Sequence, residues 1–309
     1  MSMSAVLLLA AFTALPTGLM GQTSGWPPSG HLTIPVWPGL APGAPTNLPP
    51  EADMTKATDG GPGGRPVIRL GNVVTPTLTL YTAKGARNGP GPAVVVFPGG
   101  GYSILAMDLE GTEVCDWLTS AGLNCVLLKY RVPGTGPYPK SAAALQDAQR
   151  AMGLVRLHAA EWGIDPGRVG VLGFSAGGHL SAAISNHYEK RLYDPLDDAD
   201  KLSCRPDFSV VVYPGYLALE DQNFAPNPDI QPTADTPPTF IVQAEDDPVH
   251  VENAVVYFMQ LKNAHVPAEL HVYAQGGHGY GLRRTALPVT AWPVEVEKWL
   301  HTIKVLPGE

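Results

Sequence analysis

The sequence predicts an α/β fold in which a mostly parallel sheet of eight strands is flanked by helices. From about residue 66, short segments rich in Val, Leu and Ile alternate with amphipathic segments of helical length. Continuous apolar runs such as 93–97 are typical of strands buried on both faces of a parallel sheet. The chain has 309 residues, 44% of them hydrophobic, which is enough for one large core.

Eight segments have the pattern of strands. Two alternating segments, 67–70 and 77–81, are expected to begin the sheet as an antiparallel pair. The apolar strands that follow are predicted at 93–97, 124–129, 168–173, 208–213, 239–243 and 269–273. The helices between and after them are predicted at 110–121, 141–161, 177–187, 251–263 and 291–301. The irregular segments 188–205 and 214–237 predict loops that form a small cap or none.

The N-terminal part divides into two segments. Residues 1–21 predict a signal peptide, since residues 5–15 form an apolar run too short to span a bilayer. Cleavage after Gly21 would make the protein secreted or periplasmic, although the first four residues lack the usual Lys or Arg; the alternative is a disordered or cloning-related start. Residues 22–65, rich in Pro and Gly, predict an irregular arm laid over the domain formed by residues 66–309.

Charge and cysteine content restrict the partners. The formal net charge is −8 and no basic cluster occurs, so neither nucleic acid nor a membrane surface is expected as a partner. The odd number of cysteines argues against a disulfide framework. A single bridge such as Cys115 to Cys125 stays open, but the favoured interpretation is that Cys115, Cys125 and Cys204 are small buried thiols. None has a metal-ligand spacing with a histidine, and no cofactor is expected. The sequence leaves the oligomeric state unknown.

The strongest chemical signal is a G-x-S-x-G motif at 173–177. It follows a Val/Leu-rich strand pattern and opens a helix pattern. In that context the motif predicts a sharp strand-to-helix turn that presents the hydroxyl of Ser175 above the sheet. By itself the motif is a weak signal, because glycine and serine are common, but the strand and helix patterns on either side make it specific. Ser175 is therefore the candidate nucleophile.

A serine hydroxyl is a weak nucleophile at neutral pH and needs a base. His278 is the candidate base, because it lies in a glycine-rich loop that follows the last predicted strand. Of the other histidines, His179 lies on the helix that leaves the serine turn and is expected to have a structural role. His250 lies in the loop before the helix predicted at 251–263, and no role is assigned to it.

An acid must orient the imidazole and stabilise its protonated form. Asp247 is the first choice and Asp246 the alternative, since both follow the predicted strand 239–243. The resulting chain order is Ser, Asp, His, as in the G-x-S-x-G hydrolases. The other interpretation of Asp247 is a loop aspartate that begins the helix at 251–263.

A tetrahedral intermediate also needs hydrogen-bond donors for its oxyanion. The loop after strand 93–97 contains three consecutive glycines, whose backbone can approach a substrate closely. Gly100 and Gly101 are the candidate donors in this loop. The N–H group of Ala176, directly after the nucleophile, is the third.

Together these motifs resemble the bacterial esterase/lipase branch of the α/β-hydrolases, which includes acetyl-xylan-esterase-like and feruloyl-esterase-like enzymes. The motifs that carry the resemblance are Pro98-Gly-Gly-Gly-Tyr102, Leu128-Lys-Tyr-Arg131, Gly173-Phe-Ser-Ala-Gly-Gly-His-Leu180, Arg205-Pro-Asp-Phe208 and Gly276-Gly-His-Gly-Tyr-Gly-Leu282. The resemblance covers residues 34–303 and implies an α/β-hydrolase fold with a Ser175, Asp247, His278 triad. Pro98 is a departure, because the related hormone-sensitive-lipase branch has a histidine before the glycines.

The resulting expectation is a serine carboxylesterase that hydrolyses short acyl esters, with acetyl groups on a polysaccharide as the natural target. Polar side chains in the two irregular segments, among them Tyr193, Tyr216, Asn223 and Asn227, are expected to form a rim for sugar hydroxyls. Three alternatives stay open. They are a feruloyl or general carboxylesterase, a peptidase of the prolyl-oligopeptidase type, and a binding protein that has lost catalysis on a hydrolase scaffold.

Overall fold

A computed structural model describes residues 29–85 and 89–307. Its centre is an eight-stranded sheet, whose strands are numbered here in chain order. They are β1 (Leu32–Pro35), β2 (Thr77–Tyr81), β3 (Gly91–Phe97), β4 (Asn124–Lys129), β5 (Ile164–Phe174), β6 (Ser209–Val212), β7 (Thr239–Ala244) and β8 (Ala268–Tyr273). The spatial order is β1-β2-β4-β3-β5-β6-β7-β8. Strand β2 pairs antiparallel with β1 and β4, and the other neighbouring strands of this sheet pair parallel. The predicted α/β-hydrolase architecture is therefore confirmed.

Among the residues that the structure describes, five α-helices pack against this sheet. They are α1 (Glu113–Ser120), α2 (Ala142–Leu157), α3 (Ala176–Asn186), α4 (Glu252–Asn263) and α5 (Trp292–Thr302). Each begins within three residues of its predicted start. Helix α1 is preceded by a π-helical turn, Asp108–Thr112, which the sequence pattern had merged with it. All residues of β3, β4 and β7 are buried, because helices or loops cover both of their faces.

The start of the sheet differs from the prediction. The expected partner of β2 was segment 67–70, but the partner is β1, which comes from the proline-rich arm. Residues Arg69–Gly71 instead pair with Ala52–Asp53 and Leu105–Ala106 in a separate small sheet. The sequence did not predict β1, because this strand has only four residues and ends at Pro35. So short a segment shows no clear alternation among the many turn residues of the arm.

The cysteines also differ from the favoured interpretation. Cys115 on α1 and Cys125 on β4 form a disulfide with a Cα–Cα distance of 5.2 Å, so the preference for three free thiols was wrong. Cys204 is free and buried. Sequence spacing alone could not reveal the bridge, because it depends on how α1 packs beside β4. The predicted signal peptide, residues 1–21, lies outside the described residues.

Parallel strands place their carboxyl ends at one edge of the sheet, and ligands of such folds bind there. The loops after β3, β5, β7 and β8 all leave this edge. They carry the glycine loop (99–101), Ser175, the two aspartates and His278, respectively. The fold thus brings together four segments that are separated by up to 179 residues of sequence, from Gly99 to His278.

Candidate active site

The serine turn joins β5 to α3. Ser175 has φ 54° and ψ −116°, a strained conformation for a residue with a side chain. Its flanking glycines are required by close contacts. A Cβ atom at Gly173 would lie 1.9 Å from the carbonyl oxygen of Gly177, and one at Gly177 would lie 2.0 Å from that of Phe97. The motif therefore forms the sharp turn that the sequence predicts, with the serine at its apex.

Ser175, His278 and Asp247 form one hydrogen-bonded line. The Oγ atom of Ser175 lies 2.9 Å from Nε2 of His278. On the other side of the ring, Nδ1 lies 2.9 and 3.0 Å from the two carboxylate oxygens of Asp247. This contact fixes the tautomer, because a carboxylate accepts the Nδ1 proton and leaves Nε2 free to accept a proton from Ser175.

The two adjacent aspartates point in different directions. Asp247 is buried and also accepts hydrogen bonds from the side chain of Gln243 at 3.0 Å and from the N–H group of Val249 at 2.7 Å. Asp246 instead accepts from the N–H groups of Gly276 and Gly277, at 2.8 and 2.7 Å. The sequence-based choice of Asp247 as the partner of His278 agrees with this geometry, while Asp246 holds the backbone of the histidine loop.

The glycine loop lies beside Ser175. Gly100 and Gly101 have φ values of 132° and 62°, and a Cβ atom at Gly100 would lie 2.1 Å from the carbonyl oxygen of Ile104. Within residues 29–85 and 89–307, neither N–H group donates to another protein group. Ala176 is the first residue of α3, where helical N–H groups have no intrahelical acceptor. These three groups can therefore donate to an oxyanion at Ser175.

Comparisons with known proteins are consistent with this geometry. The BD-FAE family model matches residues 78–212, and the Prolyl oligopeptidase family model matches residues 146–295. A crystal structure of an acetyl ester-xyloside bifunctional hydrolase from Caldicellulosiruptor lactoaceticus is 33% identical, with a TM-score of 0.69. The match covers 92% of this chain and all of that one.

The chain belongs to the α/β-hydrolase superfamily. An acetylxylan esterase from Xylanibacter ruminicola is 34% identical over 208 residues, which are 63% of this chain and 42% of that protein. A carboxylesterase from Mycobacterium tuberculosis is 29% identical over 230 residues, 65% of this chain and 70% of that one. The chain spans only 42% and 32% of the first two curated relatives, the acetylxylan esterase and an endo-1,4-beta-xylanase from Butyrivibrio fibrisolvens.

Two cavities meet at Ser175 of this α/β-hydrolase. The larger, about 590 Å³, is lined by Gly100, His278 and Leu287 among others, and by residues 60–62 of the arm. The smaller, about 340 Å³, is lined by the rings of Tyr138, Tyr216 and Phe224 together with polar side chains, among them Glu220 and His250. An ester bound at Ser175 would therefore have two spaces into which its acyl and alcohol parts can extend.

The predicted polar rim is only partly present. Tyr216 lines the smaller cavity. Tyr193 lines neither cavity at Ser175 and is buried against Trp37, with ring centroids 4.7 Å apart. Asn227 is also buried, and its side chain donates to the carbonyl oxygen of Tyr216 at 2.8 Å. Asn223 lines neither cavity at Ser175 among the residues that the structure describes. Polar residue types in loops predicted the rim poorly, because Asn227 holds a backbone carbonyl and Tyr193 donates to the carboxylate of Asp200 at 2.7 Å.

Two other histidines that the sequence analysis considered, His179 and His250, contact neighbouring side chains. His179 is fully buried, and its Nδ1 atom lies 2.8 Å from the hydroxyl of Tyr102. Burial lowers the pKa of His179 to about 3, so it is neutral at physiological pH. His250 lines the smaller cavity, 3.5 Å from Glu220.

Two further residues of the α/β-hydrolase site were not identified from the sequence. Glu110 is buried below the glycine loop, and Tyr213, directly after β6, packs its ring against His278 with centroids 4.9 Å apart. Glu110 sat inside a predicted amphipathic helix, where a glutamate is ordinarily a solvated residue. The only available signal was its position shortly after the glycine motif.

Within the described part of the chain, no helix is long and apolar enough to cross a membrane, and no group of three or more His, Cys, Asp or Glu side chains is arranged to hold a metal ion.

Proposed function

We propose that this α/β-hydrolase is a serine carboxylesterase that works through an acyl-enzyme. The observation that carries the proposal is the hydrogen-bonded line from Asp247 through His278 to Ser175, at the end of β5 and open to two cavities. The names of the relatives, several of them esterases, support the same reaction class.

In the acylation step, the Oγ atom of Ser175 attacks the ester carbonyl carbon while Nε2 of His278 takes the hydroxyl proton. The negative charge that forms on the carbonyl oxygen accepts hydrogen bonds from the N–H groups of Gly100, Gly101 and Ala176. Asp247 stabilises the imidazolium that results. His278 then gives its proton to the departing alcohol, which breaks the C–O bond and leaves the acyl group on Ser175.

Water completes the cycle. It attacks the acyl carbon while His278 takes one of its protons, and the carboxylic acid leaves as Ser175 regains its proton. Each step uses protein groups and water, so the proposal needs no metal and no organic cofactor.

For the substrate we propose short acyl esters, with acetyl groups on a carbohydrate as the natural target. Relatives named as an acetylxylan esterase and an acetyl ester-xyloside hydrolase support this choice. The test compares kcat/KM for 4-nitrophenyl acetate and 4-nitrophenyl octanoate, and measures acetate released from acetylated xylan. Acetate preference with release from xylan is expected. Octanoate preference without release would contradict the substrate while leaving the esterase mechanism intact.

A second candidate substrate is favoured by one observation. The smaller cavity is lined by the rings of Tyr138, Tyr216 and Phe224, which could accommodate the aromatic acyl group of a feruloyl ester. Release of ferulate from methyl ferulate, at a kcat/KM above that for 4-nitrophenyl acetate, would favour this alternative. A peptidase is tested in the same way with a prolyl 4-nitroanilide, for which no turnover is expected.

We also propose that the protein is exported. The disulfide between Cys115 and Cys125 supports this location, because such bonds persist in oxidising compartments. Expression of the whole chain in a bacterial host should yield a periplasmic or secreted product that begins at Gln22. A cytoplasmic product that keeps residues 1–21 would contradict the proposal.

A further inference from the structure

A buried carboxyl group lies directly under the active site but has no part in the proposed reaction. Glu110, in the π-helical turn before α1, is only 4% exposed. A Cβ atom at Gly99 would lie 2.7 Å from Oε2 of Glu110 and 2.8 Å from Cβ of Ser175, so the carboxyl group is close below the glycine loop.

Both carboxyl oxygens of Glu110 are used. Oε2 accepts a hydrogen bond from the N–H group of Gly99 at 2.6 Å, and Oε1 accepts one from the hydroxyl of Tyr213 at 2.9 Å. The same hydroxyl accepts a hydrogen bond from the N–H group of Gly281 at 3.1 Å. One chain of hydrogen bonds therefore runs from the glycine loop, through Glu110 and Tyr213, to the loop that carries His278.

Burial at this position costs a carboxyl group its hydration. Burial raises the pKa of Glu110, while the hydrogen bonds from Tyr213 and Gly99 act in the opposite direction. Among the described residues, no Lys or Arg forms a salt bridge with it. An apolar side chain would fill the space without the desolvation cost, so the two acceptor oxygens are what distinguishes glutamate here.

We propose that Glu110 is a positioning residue that fixes the glycine loop relative to the histidine loop through Tyr213. This inference rests on the proposed function, in which Gly100 and Gly101 bind the oxyanion and His278 is the base. Gly99 directly precedes the two donor glycines, and Gly281 lies three residues after His278. Tyr213 also packs its ring edge-on against His278. Glu110 thus connects the two groups that must act together on one carbonyl.

The substitution Glu110→Gln tests this arrangement with little change of shape. A glutamine side chain offers one acceptor oxygen, whereas the Gly99 N–H and the Tyr213 hydroxyl both donate to the present carboxyl group. Either Gly99 or Tyr213 therefore loses its acceptor, and the connection between the two loops is weakened. Misplacement by about 1 Å can cost on the order of 10²-fold in rate. We expect kcat for 4-nitrophenyl acetate to fall by roughly 10- to 100-fold, with KM unchanged within about twofold, because loop placement affects the transition state most.

A second variant and a double variant separate positioning from general damage. Tyr213→Phe keeps the ring against His278 but removes the hydroxyl that joins Glu110 to Gly281. It should lower kcat by a similar factor. Since both substitutions break the same chain of hydrogen bonds, the double variant should lose about as much as the more severe single variant, rather than the product of the two losses.

The matched control is Glu113→Gln. Glu113 lies three residues further along and binds the guanidinium groups of Arg65 and Arg283, away from the glycine loop. This control should lower the thermal midpoint and leave kcat unchanged. A folded Glu110→Gln protein with kcat within twofold of wild type would overturn the inference, as would an equal loss in the control or independent, multiplicative losses in the double variant. If Glu110→Gln fails to fold, the test rests on Tyr213→Phe, and an unchanged kcat in that variant refutes the inference.

Ser175→Ala is measured alongside these variants. Retained turnover in that protein would refute the proposed function itself. Its inactivity, together with an unaffected Glu110→Gln variant, would refute only the role of Glu110.

Discussion

Two buried regions of this molecule hold carboxylates in different ways. The first, the arm anchor, joins the N-terminal arm to α2 and is formed by Trp37, Arg131, Asp147, Arg150, Asp197 and Asp200. In it, Asp147 is fully buried and accepts hydrogen bonds from the guanidinium of Arg131 at 3.0 Å and from the indole of Trp37 at 2.7 Å. Arg150 in turn binds Asp197 and Asp200. Every carboxylate of the arm anchor thus faces a cation.

The second region is the active site, where the buried carboxylates face other partners. Asp247 accepts from His278, Gln243 and a backbone N–H group, and Glu110 accepts from a tyrosine and a backbone N–H group. A permanent cation on Asp247 would compete with the imidazolium that forms during reaction. The carboxylates of the arm anchor thus stabilise the fold, whereas those of the active site orient the catalytic groups. Substitutions in the active site should cost activity, while those in the arm anchor should cost stability.

The largest expected effect is in the active site. Asp247→Asn should lower kcat by about 10³- to 10⁴-fold, because an amide in place of the carboxylate favours the wrong imidazole tautomer. Asp246→Asn should lower kcat by only about 10-fold, since it weakens two hydrogen bonds to the histidine loop without touching the ring. Kinetics with 4-nitrophenyl acetate and thermal unfolding of both variants provide the test. Equal losses, or a larger loss at Asp246, would show that the aspartates were assigned in the wrong order.

In the arm anchor, Arg131→Ala should lower the free energy of unfolding by about 3–5 kcal/mol, because it leaves Asp147 buried without its cation. The folded fraction at low temperature should keep wild-type kcat. The control is Lys201→Ala, which removes an exposed ion pair with Asp198 and should change neither quantity measurably. Urea unfolding measures the first effect. A loss of kcat in folded Arg131→Ala protein would contradict the claim that the arm anchor affects stability alone.

The disulfide, like the arm anchor, is expected to affect stability and not activity. Replacing both Cys115 and Cys125 with serine should lower the free energy of unfolding by about 2–3 kcal/mol, as expected for a bridge that closes a loop of about ten residues, with kcat unchanged. Thiol titration of the denatured wild type without reductant should detect one thiol, from Cys204. Three thiols would show that the bridge does not form.

At neutral pH the smallest effect is expected at the fully buried His179, whose contribution to stability depends on pH. Its pKa is lowered from 6.5 to about 3 by burial, so the unfolded chain binds more protons between these values. The stabilising contribution is complete above pH 6.5 and is lost as the pH falls towards 3, at up to about 1.4 kcal/mol per pH unit. His179→Gln should flatten the fall in unfolding free energy between pH 7 and 4. An unchanged slope would show that folding does not lower the pKa of His179.

Sequence patterns predicted the parts of this fold that local chemistry determines. The apolar runs of β3, β4, β6 and β7 are buried along their whole length. The glycines of 173–177 are forced by backbone contacts that any strand-to-helix turn of this kind makes. Asp247 followed from its place after β7 in the order Ser, Asp, His. Strand β1 could not be predicted in the same way, because its four residues are extended only where they pair with β2.

Long-range contacts explain what else was missed. The disulfide depends on the packing of α1 beside β4, and the choice of Tyr193 as a rim residue failed because the arm covers it through Trp37. Glu110 and Tyr213 are 103 residues apart, and their hydrogen bond exists only because the π-helical turn reaches the end of β6. No local pattern distinguishes such a glutamate from a solvated helix residue.

The central claim is that Ser175 carries the acyl group during turnover. The most direct test is mass spectrometry of the protein after reaction with a fluorophosphonate, which forms a stable adduct with an activated serine. One adduct per chain is expected, on the peptide that contains Ser175, together with loss of esterase activity in proportion to labelling. His278→Ala should abolish labelling at that peptide. Full esterase activity without an adduct at Ser175, or an adduct on another residue that accounts for the inhibition, would contradict the claim.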